Sequence, residues 1–170
     1  TAKLHPDSLN TIRIMTLILD GEVKVLPWCA FRMGIGKSKV DNASFGGIYC
    51  KVNDDGTLSN FAYDALGKKF NNHPDGGNFT DIKFDFMDKV KKLVKASAQR
   101  FPHFRLIGWD IAITEDNEPI IIEANLTMSG MDVIETICGP LFGEYTEKVL
   151  EEVFLKKHKK KTSMDISQYV

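Results

Sequence analysis

Two acidic residues and one amide near the middle of the chain could together bind a divalent cation. Asp110 and Glu123 lie in two β-rich segments that are joined by the turn signal Asp116-Asn117. Pairing the segments about that turn places Asp110 opposite Glu123, and Asn125 projects to the same face. Because opposed like charges repel, a protonated acid, a basic side chain or a cation must compensate. Two carboxylates and an amide oxygen suit Mg²⁺ or Mn²⁺; an acid pair neutralised by Arg or Lys is the alternative.

The same pairing predicts an apolar face on the other side of these two strands. A slip of one residue would move every side chain to the opposite face, so a consistently apolar face supports the register. Trp109 lies on this face and is therefore predicted to be a core residue rather than a platform for adenine. The predicted apolar pairs are Ile107 with Leu126, Trp109 with Ala124, Ile111 with Ile122, and Ile113 with Ile120.

Two arginines in strand segments are candidate phosphate ligands. Arg13 lies within an apolar segment, where a charge is unfavourable unless it is paired. Arg32 ends the next predicted strand, beside a glycine-rich segment. A guanidinium group offers a fixed fork of donors to anionic oxygens. Contact with phosphate is one interpretation, and for Arg13 a salt bridge or a position at a sheet edge is the alternative.

The glycine-rich segment from Met33 to Gly47 carries four further candidates. Lys37 and Lys39 could reach a phosphate or an acidic substrate from a flexible loop, although loop lysines are often simply solvated. Asp41 and Asn42 could orient a substrate or cap the loop. Both interpretations stay open for each of these residues.

Three polar residues elsewhere are weaker candidates. His73 could transfer protons, although a single loop histidine more often has a structural role. Glu135 and Thr136 follow the acid-containing segment and could line a pocket for an acceptor substrate.

The elements that must position these residues predict an α+β fold with a largely antiparallel sheet. Turn signals at Asp20-Gly21 and Asp54-Asp55-Gly56 indicate two β-hairpins. Residues 65–82 are predicted to be loop. A helix is predicted over residues 85–100, where apolar residues recur at three- and four-residue spacing. A second helical pattern begins near Met131 and, after Gly139-Pro140, continues to about residue 155.

Composition and charge restrict the class of protein. The chain has 170 residues, of which 43% are hydrophobic and 26% charged, so a folded domain of ordinary composition is expected. A net charge of −1 gives no positive field that would attract nucleic acid. No apolar run approaches the roughly 18 residues that a membrane helix needs. Three cysteines without a C-x-x-C motif favour reduced thiols and a cytoplasmic protein.

The order of the motifs resembles that of ATP-grasp enzymes. Gly108-Trp109-Asp110, followed by Glu123-Ala124-Asn125, is similar to the magnesium-binding strand pair of their C-terminal lobe. Further motifs resemble the branch that is associated with sugar transfer and capsular polysaccharide synthesis, and the likeness covers about residues 9–154. These motifs are Arg32-Met33-Gly34, Val40-Asp41-Asn42, Gly46-Gly47 and His73-Pro74-Asp75-Gly76.

This resemblance implies an ATP-dependent ligase that activates a carboxylate as an acylphosphate and joins it to an amine or a thiol, both small-molecule substrates. Asp110, Glu123 and Asn125 would hold Mg²⁺ or Mn²⁺, and Arg13 and Arg32 would face the transferred phosphate. The nucleotide would contact the candidates of the glycine-rich segment, which are Lys37, Lys39, Asp41 and Asn42.

The resemblance also implies how the chain is organised. Residues 1–155 would form the C-terminal portion of an ATP-grasp domain. The basic and polar sequence of residues 156–170 separately predicts a flexible tail. An N-terminal lobe of the same protein would complete the nucleotide site, so we expect no ATP turnover by the 170-residue chain alone. In several relatives an arginine directly precedes the metal-binding acid, whereas here Gly108 is near Asp110 and Arg105 lies five residues before it.

Two other functions stay open at the level of sequence. One is a binding module that holds nucleotide or metal without catalysis. The other is a metal-dependent phosphoesterase, because opposed acids on a sheet also serve two-metal hydrolysis. That chemistry usually needs more acids and often a histidine near the metals, and the segment around Asp110 and Glu123 offers neither.

Overall fold

One seven-stranded antiparallel sheet forms the scaffold of the protein, whose computed structural model describes residues 9–36, 46–127 and 130–155. Every strand pairing in it is antiparallel, which confirms the predicted α+β class. The strands are β1 (Thr11–Leu19), β2 (Glu22–Met33), β3 (Ile48–Val52), β4 (Leu58–Asp64), β5 (Lys69–Phe70), β6 (Leu106–Ile113) and β7 (Pro119–Asn125). Their order across the sheet is β5-β4-β3-β2-β1-β6-β7, so β6 and β7 pack beside the first hairpin.

Both predicted hairpins are confirmed. Asp20 and Gly21 join β1 to β2 with positive φ values of 51° and 79°, as a tight two-residue hairpin turn requires. Gly56, in the turn between β3 and β4, also has a positive φ, and a Cβ there would lie 2.2 Å from the Phe84 carbonyl oxygen. The prediction of loop over residues 65–82 was wrong in two places, because β5 and a 3₁₀ turn at Phe79–Asp81 are too short to leave a periodic pattern.

Helix α1 (Met87–Ala98) packs against one face of the sheet, which we call the α1 face. Its buried side chains are Met87, Val90, Val94 and Ala98, at the spacing that the sequence indicated. Trp109 is 1% exposed in this core, and its indole Nε1 donates to the Thr16 hydroxyl over 2.8 Å. Its prediction as a core residue is therefore confirmed.

Helix α2 (Met131–Cys138) covers part of the opposite face, which we call the α2 face. Ile134 of α2 and Met15, Leu17 and Ala30 of the sheet form a smaller apolar core there. The helical pattern predicted after Gly139-Pro140 to about residue 155 is confirmed, because a 3₁₀ turn (Gly143–Tyr145), α3 (Thr146–Leu150) and a π-helical turn (Glu151–Leu155) follow one another without a break. In the described ranges, every helix is too short or too polar to cross a membrane. Residues 156–170 lie outside the described ranges.

The register of β6 and β7 is confirmed at the acid pair and wrong nearer the turn. Asp110 pairs with Glu123 and Gly108 with Asn125, as predicted, but Ile111 pairs with Ile121 instead of Ile122. The physical reason is a loop of residues 115–117, closed by the Thr114 amide donating to the Glu118 carbonyl, together with an extra residue in β7. These two one-residue differences offset each other before Asp110 is reached.

The extra residue, Ile122, forms a β-bulge and changes the exposure of β7. Ile120 and Ile122 are 49% and 51% exposed, so they do not complete the apolar face that the sequence predicted. On the buried face of this strand pair, Ile107, Trp109 and Ile111 of β6 are buried, and Ile121 and Ala124 of β7 are partly buried against the same core.

Candidate functional site

Four charged side chains belong to four adjacent strands on the α2 face. Arg32 lies in β2, Arg13 in β1, Asp110 in β6 and Glu123 in β7. Asp110 stands directly opposite Arg13 on one side and Glu123 on the other. We call these four residues the charge cluster. It brings together residues that the sequence placed in separate motifs.

Asp110 binds both arginines of the charge cluster. Arg13 donates from Nε to Oδ1 and from Nη2 to Oδ2, the latter over 2.9 Å, which is a bidentate guanidinium–carboxylate pair. Arg32 donates from Nη1 to Oδ2 over 2.7 Å. Asp110 and Arg32 are 5% and 6% exposed, so these bonds are shielded from water.

This geometry corrects one step of the sequence argument. A divalent cation was inferred because two opposed carboxylates need compensation, and the structure supplies that compensation through Arg13 and Arg32. The acid pair alone therefore does not require a metal. A metal-binding role for Asp110, Glu123 and Asn125 stays a prediction that must be supported on other grounds.

The arginines also determine the protonation of Asp110. Burial alone would raise the pKa of Asp110, but hydrogen bonds and charges from Arg13 and then Arg32 outweigh burial and hold that pKa below its ordinary value. Asp110 is therefore ionised at neutral pH. The alternative of a protonated acid at this position is excluded by the same contacts.

Local backbone features make room for the guanidinium of Arg13. Gly130 precedes α2 with a φ of 64°, and a Cβ at Gly130 would lie 3.2 Å from Arg13 Nη1. The chain that leads into α2 thus passes close to the charge cluster. Arg105 does not approach the cluster, because it pairs with Glu152 instead. Arg13, which binds Asp110, belongs to the neighbouring strand β1 and does not directly precede the acid.

The oxygen donors partly fit a divalent cation. The Glu123 side chain is exposed and pairs with no cation among the described residues, while Asn125 donates from Nδ2 to the Gly108 carbonyl over 3.3 Å. Asp110, however, already accepts three guanidinium bonds of the roughly four that a carboxylate can accept. The described ranges contain no group of three or more His, Cys, Asp or Glu residues that could hold a metal. A metal here would use two carboxylates and an amide, and at Asp110 it would share the carboxylate with the guanidinium groups.

The start of the glycine-rich loop is held by three side chains from outside it. The Gly34 amide donates to Asn10 Oδ1 over 3.3 Å, and the Gly34 carbonyl lies 3.0 Å from His73 Nε2. The Gly36 amide donates to Asp75 Oδ2 over 2.7 Å. Lys37, Lys39, Asp41 and Asn42, the cofactor-binding candidates of this loop, all lie outside the described residues.

His73 acts as a structural residue in this arrangement. It is 2% exposed, and its Nδ1 accepts a hydrogen bond from the Asp75 amide over 3.2 Å, so Nε2 carries the proton donated to Gly34. With both ring nitrogens bonded to the backbone, His73 has no nitrogen available to transfer a proton. Asn10 and Asp75 were missed as contributors, and the His73-Pro74-Asp75-Gly76 turn was the one sequence signal that could have indicated them.

Glu135 and Thr136 each form a local hydrogen bond, and their predicted place in an acceptor pocket stays a prediction. Glu135 Oε1 accepts a hydrogen bond from the Leu141 amide over 3.2 Å. This bond gives a backbone amide just beyond α2 its acceptor. Thr136 donates to the Asp132 carbonyl and borders a cavity of about 30 Å³.

The three cysteines supply no reactive thiol. Cys29, Cys50 and Cys138 are all buried and free of disulfide bonds. Burial raises the pKa of Cys50 to about 12 and that of Cys138 to about 11, and it raises the pKa of Cys29 further. Covalent catalysis through a thiolate is therefore not a chemistry that these residues offer.

Comparison with known proteins gives one match. A family model described as sugar-transfer associated ATP-grasp matches residues 1–147. No curated protein and no solved structure gives a significant match.

Proposed function

Because the chain belongs to the sugar-transfer associated ATP-grasp family, we propose that it is part of an ATP-dependent ligase that activates a carboxylate as an acylphosphate. The acceptor would be an amine or a thiol, and the pathway would be polysaccharide biosynthesis. The observation that supports this proposal is the charge cluster, in which two arginines and two acids meet on one face of the sheet. Residues of this kind can hold phosphate oxygens and a divalent cation together.

The arginines supply the chemistry that phosphoryl transfer needs from a protein. In acylphosphate formation, a carboxylate oxygen of the substrate attacks the γ-phosphorus, and the bond from that phosphorus to the bridging oxygen of ADP breaks. Negative charge is spread over the phosphate oxygens during this step. Arg13 and Arg32, held side by side by Asp110, can offer guanidinium donors to those oxygens. Their fixed positions reduce the reorganisation needed when the charge develops.

Asp110, Glu123 and Asn125 are the residues that would hold Mg²⁺ or Mn²⁺ in this proposal. When bound, the metal would neutralise phosphate oxygens that the arginines do not reach. The lysines of the glycine-rich loop and an N-terminal lobe of the same protein would complete the nucleotide site. The chain described here would then contribute the phosphate and metal side of the cleft.

Calorimetric titration of the 170-residue chain with Mg²⁺-ATP tests the binding part of this proposal. We expect weak binding that decreases at least tenfold in Arg32→Gln, which removes a charge from the cluster. The matched control is Arg105→Gln, because Arg105 pairs with Glu152 away from the cluster. Equal loss in both variants would contradict a specific role for the charge cluster.

Phosphate release tests the catalytic part of the proposal and separates it from its alternatives. In the protein with its N-terminal lobe, phosphate release from ATP should depend on an added carboxylate and an amine or thiol. Binding of Mg²⁺-ATP without such release would favour the non-catalytic module. Release from a phosphodiester instead of ATP would favour the phosphoesterase.

A further inference from the structure

The last helical turns of the described chain carry apolar side chains on two sides. Val149 of α3 is 8% exposed and packs in the smaller core on the α2 face, so this side of α3 rests on the sheet. Leu150, Val153 and Phe154 are 50%, 37% and 61% exposed. Val153 and Phe154 follow Leu150 by three and four positions, a spacing at which helical residues share one side. Three neighbouring apolar side chains are thus exposed together.

Two ion pairs hold this segment at some distance from the charge cluster. Lys148 of α3 pairs with Asp20, which lies in the turn between β1 and β2. Glu152 pairs with Arg105, just before β6. Asp20 directly follows the last residue of β1, whereas Arg13 of the charge cluster is near the first. The exposed apolar residues therefore belong to a different surface from the candidate site.

A lysine-rich tract follows these apolar residues in the sequence. Residues 156–161, which lie outside the described ranges, read Lys-Lys-His-Lys-Lys-Lys, so five of the 22 Lys and Arg residues of the chain fall within this tract. Residues 162–170 contain one charged side chain, Asp165. The net charge of −1 for the whole chain hides this segregation, because the compensating acidic residues lie elsewhere in the sequence. The tract carries a local positive charge directly beside the exposed apolar residues.

The two features together fit an anionic lipid surface. A polybasic tract is attracted to acidic headgroups, and adjacent apolar side chains can enter the boundary between headgroups and acyl chains. Attachment is stable when an apolar contribution and a basic one act together. A nucleic acid would also attract the lysines, but it would not give the exposed aliphatic side chains an apolar environment. The apolar residues therefore favour a lipid surface over a nucleic acid.

We propose that Leu150, Val153 and Phe154, together with residues 156–161, attach the protein to a membrane surface that contains anionic lipids. The apolar side chains enter the headgroup boundary, and the lysines bind the anionic headgroups. Every helix within the described ranges is too short or too polar to cross a bilayer, so these residues attach the chain to the surface without spanning it. This inference goes beyond the proposed function and is independent of it, because no residue of the charge cluster takes part.

Sedimentation of the 170-residue chain with vesicles tests this attachment. We expect binding to vesicles of equal parts phosphatidylglycerol and phosphatidylcholine that is at least about tenfold stronger than binding to pure phosphatidylcholine. Because the lysine contribution is electrostatic, binding to the mixed vesicles should decrease several-fold when the salt concentration is raised from about 0.1 M to about 0.5 M. Equal binding to both kinds of vesicle would overturn the proposal.

Two double variants test the role of the lysine tract. Lys156→Gln with Lys157→Gln removes two charges from the tract and should weaken binding to the mixed vesicles about tenfold. Lys92→Gln with Lys95→Gln removes two charges from exposed positions of α1 and should leave binding nearly unchanged. Equal losses in the two double variants would show that only net charge matters, and this result would overturn the assigned surface.

Phe154→Ser tests the apolar contribution. We expect binding to the mixed vesicles to weaken about tenfold, because the side chain no longer enters the headgroup boundary. Leu66→Ser, at a 95% exposed position in the turn between β4 and β5, is the control and should leave binding unchanged. Thermal unfolding establishes that each variant is folded, and Val153→Ser is the second variant if Phe154→Ser does not fold. Unchanged vesicle binding in the folded apolar variant would overturn the proposal.

A nucleic acid is the alternative partner of the tract, and fluorescence anisotropy with a labelled single-stranded oligonucleotide tests it. Oligonucleotide binding that depends on Lys156 and Lys157 but not on Phe154, in a chain that does not bind the mixed vesicles, would assign the tract to nucleic acid and overturn the proposal. The Mg²⁺-ATP titration judges the proposed function separately. Binding of Mg²⁺-ATP should be the same in Phe154→Ser as in the unaltered chain.

Discussion

The two faces of the sheet use the same strands for different purposes. On the α1 face, β1, β2 and β6 contribute a continuous apolar layer that includes Ile14, Phe31 and Ile111, all fully buried. On the α2 face, the same strands are apolar beneath α2 and then become charged at Arg13, Arg32 and Asp110. The alternation of side chains along a strand makes this division possible, because neighbouring residues point to opposite faces.

The difference separates the face that stabilises the fold by apolar packing from the face that carries the proposed site. Burial of apolar side chains on the α1 face stabilises the fold directly. A buried ion pair rarely gives more stability than well-packed apolar residues of similar volume, because the charges lose their hydration. The ion pairs of Asp110 are therefore weak evidence for stability, and they are compatible with the phosphate-binding role that we propose for the arginines.

Replacing Asp110 should produce the largest effect on stability. Asp110→Asn removes the buried carboxylate that binds both Arg13 and Arg32, and we expect a loss of about 3–5 kcal/mol in the free energy of unfolding. Urea denaturation at neutral pH measures this loss. Asp116→Asn, the same substitution at an exposed turn position in the same hairpin, should change stability by less than about 0.5 kcal/mol. Similar losses in both variants would show that the two arginines do not depend on Asp110.

Lowering the pH should gradually remove the stability that the ion pairs of Asp110 contribute. The pKa of Asp110 is lowered in the folded protein, so the unfolded chain binds its proton first as the pH falls. The contribution is complete above the unfolded pKa of about 3.9 and is lost as the pH falls through the folded value. The difference in unfolding free energy between the unaltered chain and Asp110→Asn should therefore be constant from about pH 5 to about pH 8 and shrink below about pH 4. A difference that stays constant to about pH 2 would contradict the assignment.

A conservative change on the α1 face should cost less. Ile111 follows Asp110 in β6 but is fully buried in the apolar core on the other side of the sheet. Ile111→Val removes one methylene group and should reduce the free energy of unfolding by about 1 kcal/mol, with little dependence on pH. Urea denaturation at neutral and acidic pH measures both properties. A strong pH dependence would show that the two faces are energetically coupled.

Removing the exposed charge of the cluster should have the smallest effect on stability. Glu123→Gln should change the free energy of unfolding by less than about 0.5 kcal/mol, because this side chain is exposed and makes no ion pair with a described residue. Thermal unfolding is a sufficient measurement. A large destabilisation would show that Glu123 helps to hold the arginines, and the contrast between the acids would then disappear.

Local sequence patterns were sufficient to predict much of the fold. The spacing of Met87, Val90 and Val94 predicted the buried stripe of α1, and the turn signals at Asp20-Gly21 and Gly56 predicted two hairpins. The pairing of Asp110 with Glu123 was also correct, although the two deviations near the turn offset each other. These features depend on residues that are close in the sequence.

The contacts of the charge cluster could not be predicted in the same way. Arg13 and Asp110 are 97 positions apart, and no local pattern indicates that β1 lies beside β6. Without that neighbour relation, the compensation of Asp110 by arginine was one alternative among three. The anchoring of Gly34 by Asn10 and His73 is equally non-local, because it joins segments 24 and 39 positions apart.

The bulge at Ile122 has a consequence for how the hairpin tolerates sequence change. The additional residue absorbs the one-residue offset created by the 115–117 loop, so Asp110 and Glu123 are aligned although the connection at the tip has three residues. Lengthening or shortening that connection would shift the partners of Ile111 and Ile113, while the strand beyond the bulge could keep Glu123 beside Asp110. The bulge thus separates the pairing at the outer end of this hairpin from the pairing of Asp110 with Glu123.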